Sequence, residues 1–114
     1  MATDLDSILA ALADPIRRRV IDSLRVRPRR AGELASAFRM SAPAMSRHLR
    51  LLRHTGIVEE EHRHFHDARL RVYRLRHKPF VDLRKWVAEI ETFWTNQLDA
   101  FKAHVESTRK GKRE

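Results

Sequence analysis

Residues 41–56 read SAPAMSRHLRLLRHTG, and they carry the strongest structural signal in the chain. The opening serine is suited to cap a helix N-terminus, and a proline two residues later is tolerated in a first turn. Met45, Leu49 and Leu52 follow at the spacing of one buried helical stripe. Gly56 stands where a left-handed residue commonly ends a helix. The stretch therefore predicts an amphipathic helix.

The face opposite this apolar stripe is short, polar and cationic, and it consists of Pro43, Ser46, Arg47, Arg50 and His54. The major groove of DNA accepts a helix that is apolar on one side and carries serine and arginine on the other. We therefore predict that residues 41–56 form the second, DNA-reading helix of a helix-turn-helix.

Individual residues of this helix have predicted roles. Arg47 is predicted to contact a base, because its guanidinium spans O6 and N7 of guanine; a phosphate contact alone is the alternative. Ser41 and Ser46 are candidates for hydrogen bonds to base edges or phosphates. Contacts to the DNA backbone are predicted for Arg50, His48 and His54. His48 is alternatively a histidine at the boundary of the core.

The composition points to one domain and excludes several chemistries. A chain of 114 residues is long enough for one core but short of two. It contains no cysteine, which rules out disulfides, thiolate metal sites and cysteine nucleophiles. No signal peptide or membrane span is visible in the sequence, so we expect a cytoplasmic protein without a membrane partner. No Gly-rich phosphate loop or catalytic constellation is present either, so neither an enzyme nor a cofactor is predicted.

The net charge of +9 at pH 7 is concentrated in one region. Residues 15–58 hold eleven arginines against two acidic residues, so the rest of the chain sums to about zero. Charge localised in this way indicates a surface for a polyanion, and a generally basic, solvated surface is the alternative. Of the three arginines at 17–19, at least one is expected to face inward or pair with Asp14 or Asp22. The others would be free for phosphate.

Five helices and a two-stranded hairpin are predicted along the chain. The first four helices are expected over residues 4–13, from 14 to the stop at Pro28, over 31–38 and over 41–56. Extended runs over 57–65 and 69–75, joined by a loop at 66–68, predict the hairpin. Helical spacing returns from Pro79 for over two dozen residues. The predicted fold class is mostly α with a small β-hairpin, a winged helix-turn-helix.

Basic and acidic residues flank and occupy the predicted wing. Arg63, Arg69 and Arg71 are placed to reach an adjacent minor groove, and an exposed hairpin with solvated arginines is the alternative. The three glutamates at 59–61 are expected to be a solvated strand edge rather than an acid/base pair.

Three histidines also belong to the wing. His62, His64 and His66 alternate along one strand, so their side chains share a face. Three such residues span about 13 Å, which is too far for one metal ion unless the chain folds back. No metal site is therefore predicted, and a protonatable wing facing phosphate is the favoured interpretation.

The last helix presents an apolar stripe that exceeds what so small a core covers. Together with the first helix it predicts a homodimer, with packing on its own domain as the alternative. The predicted interface consists of Leu5, Leu9, Leu12, Trp86, Ile90, Phe93, Trp94 and Phe101. Residues 1–106 are thus expected to form one DNA-binding and dimerisation domain, and residues 107–114 a disordered basic tail.

The order of elements and four motifs resemble the ArsR/SmtB family of winged helix-turn-helix repressors. The motifs are LADPIRRRVIDSL (12–24), GELASAF (32–38), SAPAMSRHLRLLRHTGIV (41–58) and RVYRL (71–75), and the resemblance covers roughly residues 5–106. It implies homodimers that bind operator DNA and usually repress their own operon, with the first and last helices as the dimer interface.

The sequence departs from the family pattern at its metal sites. Metal-sensing members carry a cysteine pair in the third helix, where this chain has Ala35 and Ala37. A second family site uses paired ligands on the last helix, which here has only His104 near its end. Both metal sites therefore look absent. Ala42 and Arg47 also differ from the Gln and His of many members, so base preference is expected to differ.

The leading functional hypothesis is a homodimeric, sequence-specific transcriptional repressor of double-stranded DNA operators, autoregulatory and without metal sensing. An unidentified small molecule or protein would then be the inducer. One alternative is an architectural or RNA-binding winged-helix protein that recognises shape. Another is a protein-interaction module that docks through its long aromatic helix.

Overall fold

The computed structural model describes residues 4–61 and 71–112, with side chains as far as residue 109. Within these ranges there are five helices: α1 (Leu5–Leu12), α2 (Pro15–Val26), α3 (Ala31–Ala37), α4 (Ala42–His54) and α5 (Lys78–Lys112). The three described strands are β1 (Arg29–Arg30), β2 (Val58–Glu61) and β3 (Val72–Leu75). The five predicted helices are confirmed, and so are the described parts of the extended runs predicted at 57–65 and 69–75, namely 58–61 and 72–75.

Side-chain caps begin α2 and α4, as the sequence predicts. A carboxylate oxygen of Asp14 accepts hydrogen bonds from the amides of Ile16 and Arg17, at 2.7 and 3.3 Å. The Ser41 hydroxyl accepts from the amide of Ala44 at 3.2 Å. Both acceptors satisfy amide groups that the first turn of a helix leaves without a partner.

The ends of α3 and α4 share one hydrogen-bonding motif. After α3, the amide of Met40 donates to the carbonyl of Ala35 at 2.9 Å. Inside this bond, the amide of Arg39 donates to the carbonyl of Ser36 at 3.2 Å. Such nested bonds require a residue in the left-handed region, and the φ angle of Arg39 is 54°.

After α4 the same pair of bonds recurs. The amide of Ile57 donates to Leu52 at 2.9 Å, and that of Gly56 donates to Arg53 at 3.0 Å. Gly56 has a φ angle of 81°, which confirms the predicted glycine end of this helix. The chain then turns directly into β2.

The core lies where α1 to α4 meet the start of β2. It is apolar throughout and includes Ile8, Val20, Leu34, Met45, Leu49, Leu52, Ile57 and Val58. The stripe predicted on α4 is therefore confirmed, since its three apolar residues are all buried. Burying side chains of this size contributes about 1.5–3 kcal/mol each, so this cluster fixes the position of α4.

The sheet has one strand more than the two-stranded hairpin predicted. Its order is β1-β3-β2 with both pairs antiparallel, and β1 pairs Arg29 with Tyr73. Two residues between a proline and a helix are too few to show the alternation by which strands are recognised in a sequence. The loop predicted at 66–68 lies outside the described residues.

By its internal contacts the chain divides into two units, residues 1–82 and 83–114. The helix α5 begins in the first unit and supplies the second. It continues to Lys112 and so includes residues 107–112, for which a disordered tail was predicted. Residues 107–112 read STRKGK, in which arginine and lysine favour a helix and Gly111 does not. The Thr108 hydroxyl donates to the His104 carbonyl at 3.0 Å. Among the described helices, none combines the length and apolarity needed to cross a membrane.

Candidate nucleic-acid interface

One face of α4 is exposed and basic. Ser41, Ser46, Arg47, Arg50 and His54 are exposed, while His48 is half-buried beside the core. Within residues 4–61 and 71–112, Arg47 and Arg50 form no ion pair and no hydrogen bond with the protein. Their guanidinium donors are therefore available to an external anion.

The arginines at the start of α2 have different surroundings. Arg17 lies 3.6 Å from the Asp14 carboxylate, and its Nε donates to the carbonyl of Ala11 at 2.7 Å. Arg18 donates through Nη1 to the carbonyl of Leu12 at 2.8 Å. Together these arginines bind carbonyls at the end of α1 that the helix leaves unsatisfied.

This arrangement confirms one expectation. Arg17 pairs with Asp14, as expected for one of the three arginines. The other two were expected to be free for phosphate, which stays a prediction: Arg18 binds the end of α1 through Nη1, and Arg19 lies 5.4 Å from the centre of the Phe38 ring. A guanidinium over an aromatic face is attracted by the ring, so Arg19 links α2 to α3.

The Asp14 carboxylate is also shifted in its acidity. Burial alone would raise its pKa, but the amides of Arg17 and Ile16 and the Arg17 guanidinium together hold the pKa below its usual value. The carboxylate is thus kept ionised at the junction of α1 and α2, where it both caps α2 and pairs with Arg17.

The glutamates at 59–61 are not simply a solvated strand edge, which corrects the prediction. Val58 and Glu60 are two residues apart on β2 and so share a face, and that face is the core face. The side chain of Glu60 is only 3% exposed. Glu59 points the other way, is 40% exposed, and pairs with Arg74 at 2.6 Å.

Among the described residues, Glu60 has three polar partners, which come from α4, from β3 and from the segment just before β3. Its Oε2 lies 2.9 Å from Nη1 of Arg53 on α4. Its Oε1 accepts from the Tyr73 hydroxyl at 2.8 Å and lies 3.5 Å from Nη1 of Arg71. A buried carboxylate is tolerated where opposite charges and hydrogen-bond donors surround it in this way.

Tyr73 faces Glu60 across the sheet, because the two residues are register partners. Burial and the hydrogen bond to the Glu60 carboxylate raise the pKa of Tyr73 to about 12. The phenol is therefore a firm hydrogen-bond donor throughout the neutral range.

A groove of about 240 Å³ lies between α4 and the sheet, lined by Ser46, Leu49, Arg50, Arg53, Glu60, Arg71 and Tyr73. Three of these residues, Ser46, Arg50 and Arg71, were predicted to contact DNA, and the structure brings them together. Arg53 and Glu60 were not predicted. The spacing of Ser46, Arg50 and Arg53 at i, i+4 and i+7 would have placed Arg53 on the same helix face.

The remaining wing residues predicted to have a role are Arg63, Arg69 and the histidines at 62, 64 and 66. They lie outside the described residues, so their predicted roles stay predictions. Within residues 4–61 and 71–112, no group of three or more metal-binding side chains comes together.

The predicted dimer residues differ in exposure. Leu5, Leu9 and Leu12 on α1 are half-buried, because Ile8 and Ala11 take the innermost positions of that helix. The aromatic residues of α5 are exposed: Trp86 39%, Phe93 55%, Trp94 59% and Phe101 67%, with Ile90 at 38%. The chain alone therefore leaves a large apolar face on α5 in contact with water.

Comparison with known proteins shows that this chain is similar to bacterial transcriptional regulators. The family of bacterial regulatory proteins of the arsR type matches residues 14–60. The HTH-type transcriptional regulator Rv2034 of Mycobacterium tuberculosis is 31% identical over 102 residues, which are 90% of this chain and 89% of that protein. The chain belongs to the ArsR family.

Other transcriptional regulators are also similar to this chain. An ArsR-like transcriptional regulator from Rhodococcus sp. RHA1 superposes with a TM-score of 0.74 at 28% identity, covering 90% of this chain and 91% of that one. A second crystallised ArsR-family regulator gives a TM-score of 0.71 at 32% identity, covering 80% and 96%. The transcriptional repressor SdpR of Bacillus subtilis is 30% identical over 56 residues, which are 49% of this chain and 62% of SdpR.

Membership of the ArsR family assigns the parts of the fold. The helices α3 and α4 form the helix-turn-helix, and β2 and β3 form the sides of the wing. The chain is a DNA-binding transcriptional regulator of the winged helix-turn-helix class, which confirms the sequence-based prediction of fold and family.

Proposed function

We propose that this ArsR-family protein is a homodimeric, sequence-specific transcriptional repressor that regulates its own gene without sensing a metal ion. The observation that carries the proposal is the exposed face of α4. Arg47 and Arg50 stand there without a partner among the described residues, whereas Arg17, Arg53 and Arg71 are bound within the protein. Free guanidinium groups on a helix suited to the major groove are what operator recognition requires.

The two arginines have different proposed roles. Arg47 lies on the exposed face and is proposed to span O6 and N7 of a guanine. Arg50 borders the groove between α4 and the sheet, and it is proposed to bind a phosphate of the DNA backbone. Ser41 caps α4, where its hydroxyl oxygen accepts from the Ala44 amide, so its O–H remains available to donate to a base edge or a phosphate.

A second copy of the chain is proposed to cover the apolar face of α5. Large apolar side chains recur from Trp86 to Val105, and each is at least about one-third exposed. A contiguous apolar face of this extent on one helix marks an association surface. A closed dimer covers it with the same face of another copy, and two α4 helices then meet two half-sites of a pseudo-palindrome.

The absence of metal sensing is proposed from residue identity. The positions that resemble the thiolate site of metal-sensing relatives are Ala35 and Ala37, and Ala35 is 6% exposed within the core. Methyl groups supply no ligand for soft metals or arsenic(III). Repression is proposed rather than activation because the related SdpR is described as a transcriptional repressor.

The test is selection of DNA by the purified full chain. Duplexes from a random-sequence pool are selected on the protein over several rounds, and a duplex of the region upstream of its own gene is assayed beside them. We expect enrichment of a pseudo-palindrome that also occurs in that upstream region. Binding without any enriched sequence, or tighter binding to RNA than to DNA, would contradict the proposal and favour shape recognition.

A further inference from the structure

One buried carboxylate joins the DNA-reading helix to the wing. Glu60 on β2 reaches Arg53 on α4 at 2.9 Å through one oxygen, and through the other it accepts from Tyr73 on β3 at 2.8 Å. Arg71, immediately before β3, lies 3.5 Å from that second oxygen. The carboxylate thus ties α4 to both described strands of the wing.

The two arginines held by Glu60 remain open to solvent on their other side. The side chains of Arg53 and Arg71 are 48% and 43% exposed, although Glu60 itself is 3% exposed. A guanidinium has five donors, and a single contact to the carboxylate leaves most of them free. Both arginines line the groove that Ser46 and Arg50 also line.

We propose that Glu60 is a positioning residue for DNA binding: it fixes the wing strands against α4 and holds Arg53 and Arg71 so that their outer donors face a phosphate of the DNA backbone. This inference rests on the proposed function of α4. Long arginine side chains lose conformational freedom when they bind, and ordering them beforehand removes that cost from the binding step. A carboxylate without such a role would only repel the phosphates.

The adjacent residue provides a matched control. Glu59 carries the same charge on the same strand, but it points to the opposite face and pairs with Arg74 and Arg76, at 2.6 and 3.8 Å. Glu60→Gln and Glu59→Gln therefore remove the same charge one residue apart. Electrostatics alone predicts that both substitutions strengthen DNA binding, and positioning predicts that only Glu60→Gln weakens it.

The experiment measures fluorescence anisotropy of a labelled duplex selected by the wild-type protein, over a series of salt concentrations. For Glu60→Gln we expect about tenfold weaker binding, the effect of removing one charge-assisted hydrogen bond. The slope of log affinity against log salt should become shallower by about 0.9 for each phosphate that the variant no longer neutralises. Glu59→Gln should keep the wild-type slope and bind at least as tightly.

A double-mutant cycle tests whether Glu60 acts through Arg53. Arg53→Ala and Glu60→Gln should together weaken binding by less than the product of their separate effects, because they disable one contact. Circular dichroism monitors folding. If Glu60→Gln does not fold, Tyr73→Phe decides the question, since it removes one hydrogen bond to the carboxylate without changing any charge.

The outcomes separate this inference from the proposed function. If the wild-type and Glu59→Gln proteins bind the duplex, and Glu60→Gln binds it equally well with an unchanged salt slope, then the positioning role is overturned and the proposed function stands. If Glu60→Gln does not fold, a folded Tyr73→Phe protein with unchanged affinity and unchanged salt slope also overturns the positioning role. A wild-type protein that binds no double-stranded DNA overturns both.

Discussion

Arg39 and Gly56 occupy the same position at the ends of two successive helices. Each is the left-handed residue of a pair of nested hydrogen bonds, with φ angles of 54° and 81°. The two positions hold different residue types. Glycine adopts this conformation without strain, whereas an L-residue such as arginine is strained by its Cβ.

Arg39→Gly is therefore expected to stabilise the protein and Gly56→Ala to destabilise it. Removing the Cβ strain gains about 1–2 kcal/mol, of which the greater entropy of unfolded glycine takes back about 0.5–1 kcal/mol. Gly56→Ala should cost about 1–2 kcal/mol. Urea unfolding of both variants measures the changes. A destabilised Arg39→Gly protein would mean that the arginine side chain makes a stabilising contact.

The two exposed arginines of α4 are expected to respond differently to substitution. Arg47→Ala should lose about 1–3 kcal/mol of binding free energy and relax the preferred base at one position in each half-site. Arg50→Ala should weaken all sequences alike and make the salt slope shallower by about 0.9. Selection experiments with each variant compare the two. Weaker binding of Arg47→Ala with an unaltered sequence preference would contradict base readout by this residue.

Charge placed on the apolar face of α5 is expected to break the dimer. Trp94→Asp and Phe101→Asp alter residues that are 59% and 67% exposed in the single chain, and burying each large aromatic contributes about 1.5–3 kcal/mol per side. Sedimentation velocity should show a dimer for the wild type and a monomer or unfolded chain for these variants. Val26→Asp is the control, because Val26 is 74% exposed on α2. A wild-type monomer at micromolar concentration would refute the homodimer.

Tyr73 is expected to titrate near pH 12. It is the single tyrosine of the chain, so the tyrosinate absorbance band reports it alone. Its pKa is raised from 10.0 to about 12 in the folded state, so the stabilisation is complete below pH 10 and is lost as the pH rises towards 12. The Glu60→Gln variant should titrate at a lower pH than the wild type. A wild-type value near 10 would show that the phenol does not contact the Glu60 carboxylate in solution.

Metal ions are expected to leave DNA binding unchanged. Zinc, nickel, cadmium and arsenite are titrated into the complex of protein and selected duplex, with anisotropy as the readout. A cysteine-free chain offers no sulfur ligand beyond methionine, and Ala35 and Ala37 stand where relatives carry cysteines. The control replaces His62, His64 and His66 together. Stoichiometric release of DNA that this replacement abolishes would establish the wing histidines as a sensor.

Periodicity predicted the helical part of this fold because each helix is long enough to display it. The buried stripe of α4, its serine cap and its glycine end all follow from residues within one stretch of sequence. The strand β1 could not be found this way, since it is two residues long and exists only through its pairing with β3. The left-handed conformation of Arg39 could not be predicted either, because arginine is not a residue type that favours it.

The candidate nucleic-acid interface could be predicted only in part, because the helical period shows which side chains are exposed but not which of them are paired. Exposure of Arg47 and Arg50 follows from the helical period, and the structure agrees. Whether an arginine is already bound within the protein depends on residues distant in sequence, as Arg53 and Glu60 show. The alternation of β2 does place Glu60 on the side of Val58, and that inward glutamate is the signal that was overlooked.

The exposed apolar face of α5 has a consequence for how the concentration of the protein controls its own synthesis. Most of the stability of a helix in a protein comes from packing of its apolar face, so a surface that covers this face would stabilise α5 further. If that surface is a second copy, assembly and folding of α5 depend together on how many molecules the cell contains. Sparse protein would leave the operator unoccupied, and accumulating protein would switch it off over a narrow range of abundance. Repression would then depend on the concentration of the regulator itself, because dimerisation through the aromatic face of α5 depends on it.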